Sequence, residues 1–162
     1  MVIERLDLSN RETAELVWSL QHAAYRIEAN LIGVTDLPPL RETVADLEAC
    51  AGTETFWGCW TEDGELAAAV SAETGDEAGS STVCRVMVHP DYFRQGLASK
   101  LLSVMMAEYA PGSDWDVTAE VRNEPALSLY AKLGFLPAET FCPAPGIAMV
   151  RMRKPASAEA ET

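Results

Sequence analysis

Val86-Met87-Val88-His89-Pro90-Asp91-Tyr92-Phe93-Arg94-Gln95-Gly96-Leu97-Ala98 is the most informative stretch of the chain. The apolar residues at its start read as the end of a strand from Thr82 to His89, which Pro90 closes because it has no N–H for a ladder. Gly96 then opens a helix that runs to about Tyr109, where Pro111-Gly112 stops it. A strand feeding a glycine turn and a helix sets up an anion site. The first amides of a helix lack intrahelical partners, and the aligned peptide dipoles add about half a positive charge there. Gly96 and Ala98 have too little side chain to keep a diphosphate off those amides. Between Ala78 and Ala107 the ionised side chains are Arg85, Arg94 and Lys100 against Asp91, a local excess of cations in a chain of net charge −13. A glycine turn is also ordinary punctuation between a buried strand and a core helix. The stretch matches neither G-x-x-x-x-G-K-[ST] nor G-x-G-x-x-G, so a second feature has to carry the assignment.

That feature lies downstream. Asn123-Glu124-Pro125-Ala126-Leu127-Ser128-Leu129-Tyr130-Ala131-Lys132-Leu133-Gly134-Phe135 reads as a helix capped by Asn123 and ended by Gly134, with Ala126, Leu129, Tyr130 and Leu133 on one face. Around these two segments the pattern predicts a first strand at Val2–Leu8 and an S-x-x-E capping box at Ser9–Glu12. A helix to about Asn30 follows, interrupted by Gly33 and Pro38-Pro39, then a second helix over Leu40–Ala51. Glu54–Thr61 and Glu65–Ala72 read as a hairpin about Glu62-Asp63-Gly64, with a polar loop from Glu73 to Ser80. Asp114–Val121 and Ile147–Arg153 are the remaining strands, the last following Pro143-Ala144-Pro145-Gly146. The order is mixed α/β, with meander strands early and strand-helix-strand units late.

The 162 residues fit a single domain over 1–154, and the small acidic tail at 155–162 is expected to be disordered. The balance of 12 Lys and Arg against 25 Asp and Glu repels a phosphate backbone, so nucleic acid is not an expected partner and a cationic one is. Cys50, Cys59, Cys84 and Cys142 form no C-x-x-C pair and the chain has only His22 and His89, so reduced thiols and no metal site are expected. No run approaches the roughly 20 apolar residues of a membrane span, and the charged N-terminus lacks a signal h-region. The expected address is the cytoplasm, without a membrane partner.

Together the two quoted segments resemble the GNAT superfamily of acetyl-CoA-dependent N-acetyltransferases. The first is similar to its [QR]-x-x-G-x-[GA] pyrophosphate loop. The second is similar to its N-x-x-A-x-x-x-Y-x-x-x-G-F element, in the family's order and at a similar distance. The resemblance spans about Glu54 to Arg153 and implies a mixed sheet of six to seven strands flanked by helices, with splayed central strands. It implies that Val86, Met87 and Val88 run beside the pantetheine arm of acetyl-CoA, with the Val88 N–H on the acetyl carbonyl. The amides of Phe93, Arg94, Gln95, Gly96, Leu97, Ala98 and Ser99 would hold the pyrophosphate, Asn123 would touch the arm, and Tyr130 would protonate the leaving thiolate. Phe93 stands where the family has Gln or Arg, which removes one polar side chain from a site built mainly of N–H groups.

Direct transfer of an acetyl group from a thioester to an amine needs a base, a polarised carbonyl and an acid. Some family members place a base five residues before the asparagine, which here is Thr118. Glu120 shares a strand face with Thr118 and Arg122 and is the candidate base, with a water chain ending at Glu28 or Glu73 as the competing account. Tyr25, Glu28 and Glu42, on the N-terminal helices, are candidates for binding a cationic acceptor. His89 reads as a strand-end residue. Trp57 and Trp60 differ in parity, so one is expected to face the cleft and the other the core. The function implied is acetylation of a small cationic amine. A non-catalytic acyl-CoA-binding or regulatory module, a protein N-terminal or lysine acetyltransferase and a different acyl donor are alternatives, and a homodimer is left open.

Overall fold

The structure is a computed structural model and describes residues 1–156, so the expected acidic tail lies almost wholly outside the described residues. A meander of β1 (Val2–Leu6), β2 (Thr55–Trp60), β3 (Leu66–Thr74) and β4 (Ser80–Val88) continues through a parallel contact into β5 (Asp114–Glu120). The antiparallel pair β7 (Ile147–Lys154) and β6 (Leu136–Ala144) completes a seven-stranded sheet of order β1-β2-β3-β4-β5-β7-β6. One face is covered by α1 (Arg11–Ile32) with the short helices α2 (Pro38–Arg41) and α3 (Val44–Ala49), packed on Phe56, Ala69 and Met87. The other carries α4 (Leu97–Tyr109) and α5 (Glu124–Lys132), packed on Trp57, Val70 and Val117. Leu101, Leu102 and Met105 of α4 are fully buried, and each contributes about 1.5–3 kcal/mol.

Three local expectations are corrected. Asn10, not Ser9, caps α1: its Oδ1 accepts from the Thr13 N–H at 3.2 Å, while Ser9 turns back to Asp7. The single second helix is two pieces, because Glu42 is extended and Thr43 starts α3 with a full capping box to Asp46. Pro38-Pro39 does not interrupt a helix but begins one, proline being tolerated in the first turn. β6 is an additional strand. It holds Pro137 and Pro143, stands at the sheet edge and shifts its register on β7 beside each of them, edges and bulges being where a strand tolerates proline.

The feature that positions the site is the parting of β4 from β5. They pair only over Ser80–Thr82 with Asp114–Asp116. Directly beyond, the β3–β4 register skips Cys84, with Ser71 opposite Arg85 and Ala72 opposite Val83. Such a bulge bends and twists the strand that carries it, and here it turns β4 away from β5. The C-terminal halves of both strands border an open cleft.

Candidate active site

Between β4 and α4 the chain makes a one-turn 3-10 helix over Pro90–Tyr92, capped by His89, whose Nδ1 accepts from the Asp91 N–H at 3.1 Å. His89 thus ends the strand and caps the turn that follows it. Arg94 follows at φ 65°, the described chain's positive-φ residue other than glycine, and Gly96 at φ 72°. A non-glycine residue held left-handed stores strain of about 1–3 kcal/mol. Here it rolls the backbone so that α4 begins abruptly. Among the described residues no side chain caps α4, and the first of its amides with a helical partner is Lys100, bonded to the Gly96 carbonyl at 3.1 Å. The amides of Leu97, Ala98 and Ser99 are the first-turn donors of the helix. A Cβ built on Gly96 would meet nothing within 4 Å, so the turn is not sealed by packing. Phe93, Arg94 and Gln95 are exposed beside it. Arg85 does not add to this local charge, because it points to the other face of the sheet.

The free edge of β4 leads from this turn into the cleft. His89 donates its N–H to the Ala67 carbonyl at 2.9 Å. By the alternation of an antiparallel ladder, Met87 then also faces β3, while the amides of Val86 and Val88 point into the gap left by β5. The side chain of Met87 is fully buried under α1, so only backbone of this residue borders the gap. From α1, the Tyr25 hydroxyl lies against the Val86 amide.

Across the cleft stands a group of three residues from distant parts of the chain. Glu28 Oε1 accepts a hydrogen bond from Asn123 Nδ2 at 2.7 Å. Asn123 in turn caps α5, its Oδ1 accepting from the Ala126 N–H at 3.3 Å. Burial raises the Glu28 carboxyl above its ordinary range, the Asn123 bond opposes this, and the charge of Glu120 adds to it. Tyr130, on α5, is buried. Burial, with the neighbouring Tyr25 and the charge of Glu28, raises its hydroxyl far above the usual tyrosine value. Its ring packs edge-on against Phe135 at 5.8 Å, which the chain reaches by turning at Gly134, φ 99°. A side chain at Gly134 would be strained by that φ and would meet Lys154 Nζ at 2.8 Å. The arrangement holds a carboxylate with raised proton affinity and a phenol that keeps its proton on two walls of one cleft. It can accept a proton on one side and donate one on the other.

The other acidic candidates are engaged elsewhere. Glu120 reaches the cleft lining, but its carboxylate accepts from Arg122 N–H at 2.7 Å, Arg122 Nη2 at 2.8 Å and Ala148 N–H at 3.1 Å. The Arg122 side chain, and these backbone donors, pull its pKa down to about 2. It pins β7 to the end of β5. Glu42 does not line the cleft; it is clamped by Arg85 at 2.6 Å, and Arg85 also binds Glu54 at 2.9 Å and Gln21 at 2.8 Å. Glu73 lines a separate cavity at the paired end of β4 and β5, which Thr118 also borders. Trp57 and Trp60 do lie on opposite faces, yet neither borders the cleft: Trp57 packs under α4 and Trp60 on the α1 side. Ile32, Leu37, Ile147 and Met149 form the cleft's apolar wall, and no local pattern marks them for it.

A family model described as the Acetyltransferase (GNAT) family matches residues 15–135. UPF0157 protein YqkA of Bacillus subtilis (strain 168) is 34% identical over 146 residues, 90% of this chain. The chain spans 41% of that relative's length. Among solved structures, the ribosomal-protein-S18-alanine N-acetyltransferase from Escherichia coli matches with a TM-score of 0.73 at 20% identity, over 96% of this chain and 94% of its own. The paia N-acetyltransferase from Thermoplasma acidophilum, in complex with coenzyme A, matches with a TM-score of 0.69 at 16% identity, over 93% and 98%. At these identities the likeness is one of fold. Among the described residues no helix is long and apolar enough to cross a membrane.

Proposed function

The chain belongs to the GNAT acetyltransferase family, and on that premise we propose that it moves the acetyl group of acetyl-CoA to a small primary amine by direct attack. The observation that carries the reading is the uncapped start of α4 beside an unpaired β4 edge, which leads to Glu28 and Tyr130. When bound, acetyl-CoA supplies an acyl group activated as a thioester. The amides of Leu97, Ala98 and Ser99, with exposed Arg94, suit its diphosphate. The outward N–H of Val88 is placed to polarise an acyl oxygen.

Glu28 is the base in this reading. Its raised proton affinity suits uptake of a proton from an ammonium, and Asn123 fixes the carboxylate without neutralising it. Glu120, held ionised by its donors, is ill suited to that role and acts as a brace. Tyr130 stays protonated at any working pH and stabilises the departing sulfur by donating a hydrogen bond, full transfer from so raised a phenol to a thiolate being uphill. Tyr25 holds the Val86 amide and narrows the cleft at the acceptor side. Asn123 becomes a positioning residue that ties the base to the helix bearing the acid, in place of the arm contact implied by the resemblance.

Thiol release from acetyl-CoA over an amine panel tests the proposal. Turnover that disappears in Tyr130→Phe while cofactor affinity is kept supports it. Tight binding with no turnover on any amine would instead make the chain an acyl-CoA-binding module.

A further inference from the structure

The cavity that holds Glu28 has a volume of about 510 Å³, part of which the thioester end must occupy. Its acceptor side is hydrocarbon: Ile32, Leu37 and Pro38 from the end of α1 and the start of α2, and Pro143, Ile147 and Met149 from the β6–β7 hairpin. The other charges on this lining are compensated. Asp36 pairs with Arg41 at 3.3 Å at the mouth, and Glu120 pairs with Arg122 at 2.8 Å. Among the described residues of this lining Glu28, held by the neutral amide of Asn123, is the carboxylate left without a cation. The acidic residues Glu73, Asp76 and Glu77, which weigh in the chain's net charge, line the separate cavity beyond Thr118.

We propose that the acceptor is a monoamine, one ammonium on an apolar alkyl or aromatic body, and not a diamine or polyamine; this rests on the transferase reading of the same cleft. One ammonium meets Glu28. A second, a few carbons away, would lie against Ile147, Leu37 or the Arg41 guanidinium, losing its hydration without gaining a partner. An alkyl or aromatic body in the same place gains from leaving water.

Pentylamine and putrescine, which are isosteric, form the test pair, with spermidine as the longer polycation. Thiol release should give a kcat/KM for pentylamine at least about 100-fold above that for putrescine. From methylamine to pentylamine, kcat/KM should climb about fourfold per methylene. Ile147→Asp, which adds a carboxylate to the half-buried wall, should move the pentylamine-to-putrescine ratio at least about tenfold toward putrescine. Preference for putrescine or spermidine in the unmodified protein overturns the monoamine assignment and leaves the transferase reading standing. A ratio unmoved in folded Ile147→Asp also overturns it. No thiol release with any amine, from protein that binds acetyl-CoA, removes the transferase reading and this assignment together.

Discussion

Glu28 and Glu120 border the same cleft, one from α1 and one from the end of β5, and their surroundings push them in opposite directions. Glu120 is only 4% exposed, but it is met by backbone and guanidinium donors that favour its charge. Glu28 is less buried and is offered a single amide donor, so loss of water dominates and its proton affinity rises. Burial alone therefore does not make a carboxylate a base; the count and charge of its donors decide. The same comparison separates a group that can move a proton from one that holds two strands together.

Neutralising each carboxylate in turn separates the two roles with the largest effect. Glu28→Gln should lower kcat/KM by about 10²- to 10⁴-fold with the melting temperature and acetyl-CoA affinity kept, and Tyr130→Phe should do the same. Steady-state kinetics beside a thermal melt and calorimetry reads all three. Equal losses from Glu28→Gln and Glu120→Gln, with neither affecting stability, would erase the distinction.

The pH dependence follows next in size. Glu28 must be ionised to act, and its pKa is raised, so kcat/KM falls about tenfold per pH unit below a limb lying above the ordinary glutamate range. A pH–rate profile checks this, and Glu28→Gln should abolish that limb. Glu120 shows the reverse sign in stability. Its pKa is depressed from 4.5 to about 2, so its contribution is fully present above 4.5 and is lost as pH falls toward 2. Glu120→Gln should cost about 1–2 kcal/mol at neutral pH, discounted because Arg122 is half-exposed. That corresponds to a fall of roughly 2–8 °C in melting temperature. It should also flatten the loss of stability between pH 4.5 and 2, as followed by denaturant titration. The smallest effect is expected from Phe93→Gln. It restores the family's polar side chain at a loop that works through backbone, and should tighten acetyl-CoA binding by a few-fold at most in calorimetry.

Legibility in the sequence followed the range of the interaction. The turn at Gly96 and the helix from Asn123 to Phe135 were readable because strand, cap and glycine signals are local, and so was the α/β order around them. Glu28 could be named as a rival base, but its bond to Asn123 joins residues 95 apart, and no local pattern announces it. The preference for Glu120 came from strand parity, which places a side chain on a face without showing what it meets there. Arg122 and the Ala148 amide settle that, and Ala148 arrives through a hairpin whose first strand the prolines hid. Arg85 was counted with the phosphate loop by proximity in sequence. The bulge at Cys84 and its partners Glu42 and Glu54 take it to the opposite face.

In the proposed function the first-turn amides of α4 and the parted β4 edge form the acyl-CoA site. Isothermal calorimetry with acetyl-CoA measures this, on the unmodified chain and on Gly96→Val, whose β-branched side chain disfavours φ 72° and so pulls the turn that presents those amides out of shape. Saturable, one-to-one association is expected with the unmodified chain, weakened at least about 100-fold by the substitution in protein that remains folded. No heat of association with the unmodified chain, or undiminished affinity in Gly96→Val, would contradict it.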